Sequence, residues 1–243
     1  MKYEDIPVEV TIHNILPYTE LSPVQLYGLR HTSRDMYKRY IDSLRIWVLD
    51  PESWMTAIKN DDEFLFKDLQ SLMESSSIVI DEDFEYDSYT RQVVHYPLYL
   101  ASYKNMDHIG ISVLDMIEDM SRNVSYRVFS IAMTNKSFRM QSYKLDSLYD
   151  MVILAIHNEE TLAYLITMYD HDPESLLDII SISMMHSGDY AIHTIIDILL
   201  EKNIHIPRHM IEYLKQNIRS GMYHFVDIED AIDVLDDFAN TII

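Results

Sequence analysis

The sequence predicts an all-α protein built from stacked helical hairpins, with a separate helical module at its N-terminus. Apolar residues recur at the spacing of helix faces through most of the chain, most regularly from residue 147 to residue 202. Aspartate followed by proline and glutamate, a signal for a helix start, occurs at Asp50 and at Asp172. Only 4 of the 243 residues are glycine, which is too few for the tight turns of a β-rich fold.

The segment 147–202 contains four apolar stripes, which predict two helical hairpins in series. A polar break at 157–160 separates the first two stripes, and Asp172 begins the third. Gly188 ends the third stripe, because glycine readily adopts the left-handed conformation in which many helices terminate. The two hairpins align at a spacing of 30 residues, a period typical of stacked repeats.

Residues 50–74 carry the same helical pattern, and we expect Trp54 to anchor the core beneath it. The pattern stops at 75–92, which we interpret as an irregular acidic loop with a brief strand at 78–80. It returns with a predicted helix at 96–105 and continues to the C-terminus.

The chain carries a net charge of −21, and its C-terminal part is the most acidic. Residues 145–243 hold 18 acidic and only 4 basic residues. Such a field repels nucleic-acid phosphates and acidic lipid surfaces, so we expect no direct nucleic-acid binding and no membrane binding. The last predicted helix has an acidic outer face, which we predict to bind a basic partner protein, although a merely solvated face is the alternative. The predicted partner-binding residues are Asp227, Glu229, Asp230, Asp233, Asp236 and Asp237.

The N-terminal residues 5–46 combine an apolar-proline-acid start, an apolar helix, and a leucine-bearing helix that leads to Ser-Arg and an aromatic residue. The pattern is formed by Ile6-Pro7-Val8-Glu9-Val10, Ile15-Leu16-Pro17-Tyr18, Leu26, Leu29, Ser33-Arg34 and Tyr37. It resembles an F-box. The resemblance implies docking on a Skp-type adaptor of a ubiquitin ligase, through the apolar side chains of Ile6, Pro7, Ile15, Leu16 and Leu26. A helical cap on the repeats, with these side chains in the core, is the alternative.

A second pattern places an alanine or methionine three or four residues before an asparagine or glycine that ends a helix. It begins beside the proline-leucine pair Pro97-Leu98 and recurs at Ala101 and Asn105, Ala132 and Asn135, Ala155 and Asn158, and Met185 and Gly188. Over residues 51–240 it resembles degenerate ankyrin repeats, which implies a solenoid of helical hairpins, here without the glycine-rich β-hairpin fingers. A generic stack of α-hairpins is the alternative.

Large DNA viruses encode chains that combine an F-box-like start with degenerate ankyrin-like repeats, and this sequence is similar to those chains. The two resemblances divide the chain into an F-box-like helical module, residues 1–48, and an ankyrin-like helical-repeat region, residues 49–243.

The sequence contains no recognisable catalytic motif. It lacks cysteine, which excludes disulfides, thiolate metal sites and a cysteine nucleophile. Its eleven histidines are scattered, and we interpret the polar triplet Asp170-His171-Asp172 as a loop, because a metal site needs a further convergent ligand. No Gly-x-Ser-x-Gly, P-loop or kinase signature occurs. We therefore expect a non-enzyme that uses no cofactor and no metal.

The predicted function is that of a non-enzymatic adaptor, which binds a partner protein on its helical-repeat surface and recruits it to a ubiquitin ligase through the F-box-like module. The alternatives are a structural component of a virion or another assembly, and an acidic mimic of nucleic acid that binds a basic DNA-binding protein. The N-terminus has acids where a signal peptide needs an apolar run, and no stretch of about 18 apolar residues occurs. We therefore expect a cytoplasmic protein, in the host cytoplasm if the chain is viral.

Overall fold

The computed structural model describes residues 34, 38, 40, 44, 47, 48, 50–74, 79–86, 93–99, 103, 106, 109–223 and 225–241, with the backbone alone in 79–86, in 93–99 and at Asp189. The chain divides into two compact units, one that ends at Ser112 and one that spans Val113–Ile243. The boundary predicted between residues 48 and 49 lies within the first of these units.

Two helices of the first unit are described along their whole length, α1 (Pro51–Lys59) and α2 (Glu63–Glu74), and they pack against each other. Asp50 caps α1, because its carboxylate accepts a hydrogen bond from the Glu52 N–H at 3.1 Å. Trp54 is fully buried. The helix start predicted at Asp50 and the core position predicted for Trp54 are therefore confirmed.

A β-hairpin follows α2 in the chain. Its strands, β1 (Val79–Tyr86) and β2 (Val93–Tyr99), pair in the antiparallel sense. The brief strand predicted at 78–80 is confirmed in part and is longer than expected. The irregular loop expected over 75–92 and the helix expected over 96–105 are wrong where the two strands lie.

The composition of the two strands explains this difference. β1 combines valine, isoleucine, phenylalanine and tyrosine with its acids, and β2 holds two valines and two tyrosines, which are strand-forming residues. Pro97 disfavours a helix interior but is tolerated in an edge strand, and both strands of a two-stranded sheet are edges. The expectation of helical units without β-hairpins is therefore wrong for this segment.

The described residues of the second unit form eight helices and no strand. They are α3 (Val113–Asn123), α4 (Tyr126–Thr134), α5 (Lys136–Ser142), α6 (Leu148–Ala155), α7 (Glu159–Met168), α8 (Pro173–Glu201), α9 (Arg208–Arg219) and α10 (Ile228–Thr241). Apart from the one β-hairpin, the described elements are helices, which confirms the all-α fold class. α6 packs against α3, α4, α7 and α8, and α10 packs against α8 and α9.

Local signals set the ends of these helices. Asn158 caps α7 by accepting a hydrogen bond from the Thr161 N–H at 2.8 Å, and Asp172 caps α8 in the same manner. Gly188 has φ 52° and ψ −129°, which breaks the helical geometry within α8. The helix start predicted at Asp172 and the break predicted at Gly188 are therefore confirmed. Of the described helices, none combines the length and the apolar character needed to cross a membrane.

Candidate functional site

A groove of about 760 Å³ lies in the second unit between α5, α7 and the C-terminal end of α8. α5 and the residue after it form one wall with Lys136, Arg139, Met140 and Tyr143, whose spacing places them on one helix face. α4 packs against both α5 and α7, so it ties the two walls together. The volume lies in the range typical of ligand-binding sites.

α7 forms the opposite wall. Glu160, Ala163, Tyr164, Thr167 and Met168 line it, again at the spacing of a single helix face. Each wall is thus a helix face about two turns long that carries one methionine and one tyrosine, with two cations on the α5 wall and one acid on the α7 wall.

Local sequence decides which face of α5 is turned toward the groove. Asn135 caps the helix by accepting a hydrogen bond from the Phe138 N–H at 3.0 Å. Phe138 and Ser142 are buried, and the Phe138 ring lies edge-on to Phe129 of α4, with their centroids 6.4 Å apart. Because this face is held against α4, the opposite face of α5 lines the groove.

Arg139 reaches from one wall to the other. Its guanidinium carbon lies 4.7 Å from the centroid of the Tyr164 ring, a cation–π contact, and its Nη1 donates a hydrogen bond to the Met133 carbonyl. The Tyr164 hydroxyl donates to Glu160 Oε1 at 3.2 Å. The guanidinium is therefore held in place by this chain alone.

An aromatic and histidine cluster borders the groove beyond the end of α5. The Tyr143 hydroxyl lies 2.8 Å from His171 Nε2, and His171 Nδ1 lies 3.2 Å from Asp170 Oδ1. The Tyr143 ring also lies against the Tyr169 ring, with centroids 5.1 Å apart. Burial raises the pKa of Tyr169 to about 12, with smaller contributions from Tyr143 and Asp172.

Three cations line the groove in a strongly acidic chain. The ammonium of Lys136 forms no hydrogen bond or ion pair with another described residue, and Arg139 contacts a ring and a carbonyl. Lys202 donates to Glu201 Oε1 at 2.9 Å, and this hydrogen bond raises the pKa of Lys202. Glu160 is the one acid among the lining residues. The groove therefore carries local positive charge.

The triplet Asp170-His171-Asp172 does not converge on one point. His171 contacts Asp170 and Tyr143, whereas the Asp172 carboxylate accepts hydrogen bonds from the first turn of α8 and from the Ser175 hydroxyl. These bonds, the one with Ser175 foremost, lower the pKa of Asp172. Within the described part of the chain, no three histidine, aspartate or glutamate side chains are grouped so that they could hold a metal ion.

The six acids predicted to bind a basic partner are all exposed, on α10 or just before it. Three of them form hydrogen bonds or ion pairs within this chain. Asp236 accepts a hydrogen bond from Lys215 Nζ, Asp230 lies 3.1 Å from His193 Nε2, and Asp227 accepts from the Asp230 N–H at 3.0 Å. The carboxylates that have no such partner among the described residues are those of Glu229, Asp233 and Asp237.

Asp236→Ala is expected to lower the free energy of unfolding by about 1–2 kcal/mol, because a buried ammonium loses one of its two partners. The Lys215 side chain is only 5% exposed and donates to Asp236 and Glu212. Burial lowers the pKa of Lys215, but the hydrogen bonds to the two carboxylates outweigh it and leave the pKa raised. Urea unfolding followed by circular dichroism measures the change.

Asp233→Ala is the matched control on the same helix, and we expect it to change the free energy by about 0.5 kcal/mol or less. In a Lys215→Met background, Asp236→Ala should cost nothing, because no buried charge is left without a partner. Equal effects of the two aspartate substitutions would contradict a structural role for Asp236.

The five residues predicted to dock on a Skp-type adaptor lie outside the described residues: Ile6, Pro7, Ile15, Leu16 and Leu26. The lining of the groove, in contrast, was not predicted as a site. One sequence signal points to it, because residues 120–145 hold five basic residues and no acid in a chain of net charge −21. Lys136 and Arg139 belong to that segment.

Comparisons with protein-family models, with curated proteins and with solved structures gave no match. The described elements are helices apart from one β-hairpin, so the fold class is all-α. The ankyrin-like and F-box-like resemblances stay predictions.

Proposed function

We propose that this protein is a non-enzymatic interaction module, which binds a segment of a partner protein in the groove between α5 and α7. The observation that supports this proposal is the lining itself, in which both helix faces present methionine and tyrosine side chains and the α5 face adds two cations, Lys136 and Arg139. Met140 is 54% exposed and Tyr143 is 37% exposed. These two side chains therefore present apolar surface that a bound segment can cover.

The residue types favour a protein partner. Tyrosine, methionine and arginine are enriched where proteins meet, and arginine and tyrosine are among the residues that most often dominate binding energy. A groove with two helical walls matches the mode in which an amphipathic segment binds between helices.

The adaptor part of the proposal rests on the F-box resemblance of residues 5–46. In this part of the proposal, the groove selects the partner protein, and the N-terminal module brings that partner to a ubiquitin ligase. The nucleic-acid mimic is less well supported, because half of the predicted acidic residues contact side chains or backbone of this chain. No observation favours the structural-component alternative.

The test is a pulldown from eukaryotic cell extract with the full chain and with its Ala163→Trp variant, read by mass spectrometry. Ala163 lies on the α7 wall, so the indole fills the groove. We expect the partner to be recovered by the unmodified chain and to fall about tenfold with the variant, the equivalent of about 1.4 kcal/mol.

Ala239→Trp is the matched control, because it makes the same change on α10, outside the groove. Thermal unfolding of both variants shows whether the fold is kept. Identical sets of retained proteins for the unmodified chain and Ala163→Trp would refute the groove as the binding surface. Recovery of a Skp-type adaptor in the same experiment would support the ligase part.

A further inference from the structure

We infer that the groove binds an acidic amphipathic helix of its protein partner. In this arrangement the apolar stripe of the bound helix packs on Met140, Ala163 and Met168, and its carboxylates face Lys136 and Lys202. The inference rests on the proposed function and names the kind of segment that the groove accepts.

The shape of the groove favours a helix. The α7 wall runs from Glu160 to Met168, which at the helical rise per residue is about 12 Å, or two turns of a bound helix. A strand would need an open sheet edge to pair with, and the described residues of the second unit contain no strand. An added helix between α5 and α7 would bury its apolar face as the neighbouring helices of this unit do.

The charge of the groove selects acids. Lys136 stands at the start of α5, Lys202 lies just after α8, and the fixed guanidinium of Arg139 lies between the two walls. Lys136 has no partner among the described residues, so its charge is available to a ligand. A basic helix would instead place its cations near three cations and only one lining acid, Glu160.

The acidic remainder of the chain does not prevent this recognition. At physiological salt the Debye length is about 8 Å, so exposed acids elsewhere on the surface are largely screened, whereas contacts inside the groove are not. The cations act on a bound segment at short range, and the net negative charge acts on an approaching partner at longer range. The cations therefore determine which segment binds, and the net charge of −21 slows the approach of an acidic partner.

Arg139 reduces the cost of binding. Because Tyr164 and the Met133 carbonyl already hold its side chain, little conformational entropy is lost when a carboxylate approaches the remaining N–H groups. Arg139 also keeps the two walls in contact, so it is unsuitable for the decisive substitution. Lys136 and Lys202 are exposed and form no hydrogen bond or ion pair across the groove with another described residue, which makes them the better choice.

The experiment is a selection of phage-displayed random peptides, about 16 residues long and so able to form about four helical turns, on the full chain. We expect the selected peptides to carry apolar residues at helical spacing and an excess of aspartate and glutamate. Fluorescence anisotropy should then show a loss of affinity of about tenfold for Lys136→Glu/Lys202→Glu, because two attractions become repulsions. The matched control, Arg208→Glu/Arg219→Glu, makes the same change in net charge on α9 and should leave the affinity unchanged.

The outcomes separate the two proposals. Peptides that lose affinity with Ala163→Trp but are basic or uncharged would overturn the acidic helix and leave the groove as an interaction site. Peptides that bind equally well to Ala163→Trp would overturn the groove itself. Acidic peptides whose binding is unaffected by Lys136→Glu/Lys202→Glu would overturn the role of the two lysines.

Discussion

Trp54→Ala is expected to lower the free energy of unfolding of the first unit by about 3–5 kcal/mol, the range typical of a fully buried tryptophan replaced by alanine. Trp54 has no exposed surface, and its ring lies edge-on to Phe66 and Tyr103, with centroids 5.3 Å and 6.1 Å away. Its indole N–H donates to the Val48 carbonyl at 3.0 Å. The substitution leaves a cavity and an unsatisfied buried carbonyl together.

Tryptophan fluorescence during urea unfolding measures this change, because the chain has 2 tryptophans and Trp47 remains as a reporter of the same unit. Trp54→Phe keeps part of the aromatic packing but loses the hydrogen bond and some buried volume, so it should cost about 1–3 kcal/mol. Phe64→Ala, at a side chain 55% exposed, should cost about 0.5 kcal/mol. Similar losses for Trp54→Ala and Phe64→Ala would contradict the anchoring role of Trp54.

Local signals in the sequence predicted several helix ends well. Asp50 and Asp172 lie beside a proline and an acid, and each caps a helix in the structure. Gly188 breaks α8 with a positive φ, as its residue type predicted. These features depend on a few neighbouring residues, so the chain order alone contains the information.

The β-hairpin was predicted only in part, because its acidic residues obscured the strand signal. Asp81, Asp83, Glu85 and Asp87 suggested an acidic surface loop, although valine, isoleucine and aromatic residues lie beside them. A strand is completed by a partner elsewhere in the chain, here β2. The pairing between them cannot be read from either segment alone.

The groove could not be predicted because its two walls are separated in sequence. Arg139 and Tyr164 meet only after α5 and α7 have both packed on α4. The acidic face of α10 was predictable as a face, but the contacts of Asp236 with Lys215 and of Asp230 with His193 depend on the packing of separate helices. Charge patterns therefore indicated where cations and acids lie. They did not indicate which of these groups already form hydrogen bonds or ion pairs within the chain.

Tyr169→Phe is expected to protect the second unit from alkaline unfolding between pH 10 and pH 12. The folded state holds the Tyr169 proton up to a pKa of about 12, mainly because the side chain is buried, whereas the unfolded chain releases it near pH 10. The contribution of Tyr169 to stability is thus fully present below pH 10 and is lost as the pH rises to 12. Each pH unit in this window removes about 1.4 kcal/mol.

Urea unfolding of the unmodified chain and of Tyr169→Phe across this pH range measures the effect. Ionisation of the tyrosines that do not contact Tyr169 affects both proteins, so it cancels in the difference between their free energies of unfolding. This difference should be constant below pH 10 and should then shift against the unmodified chain by about 2.7 kcal/mol as the pH approaches 12. Parallel stability curves for the two proteins throughout this range would show that the Tyr169 hydroxyl is not held protonated by the fold.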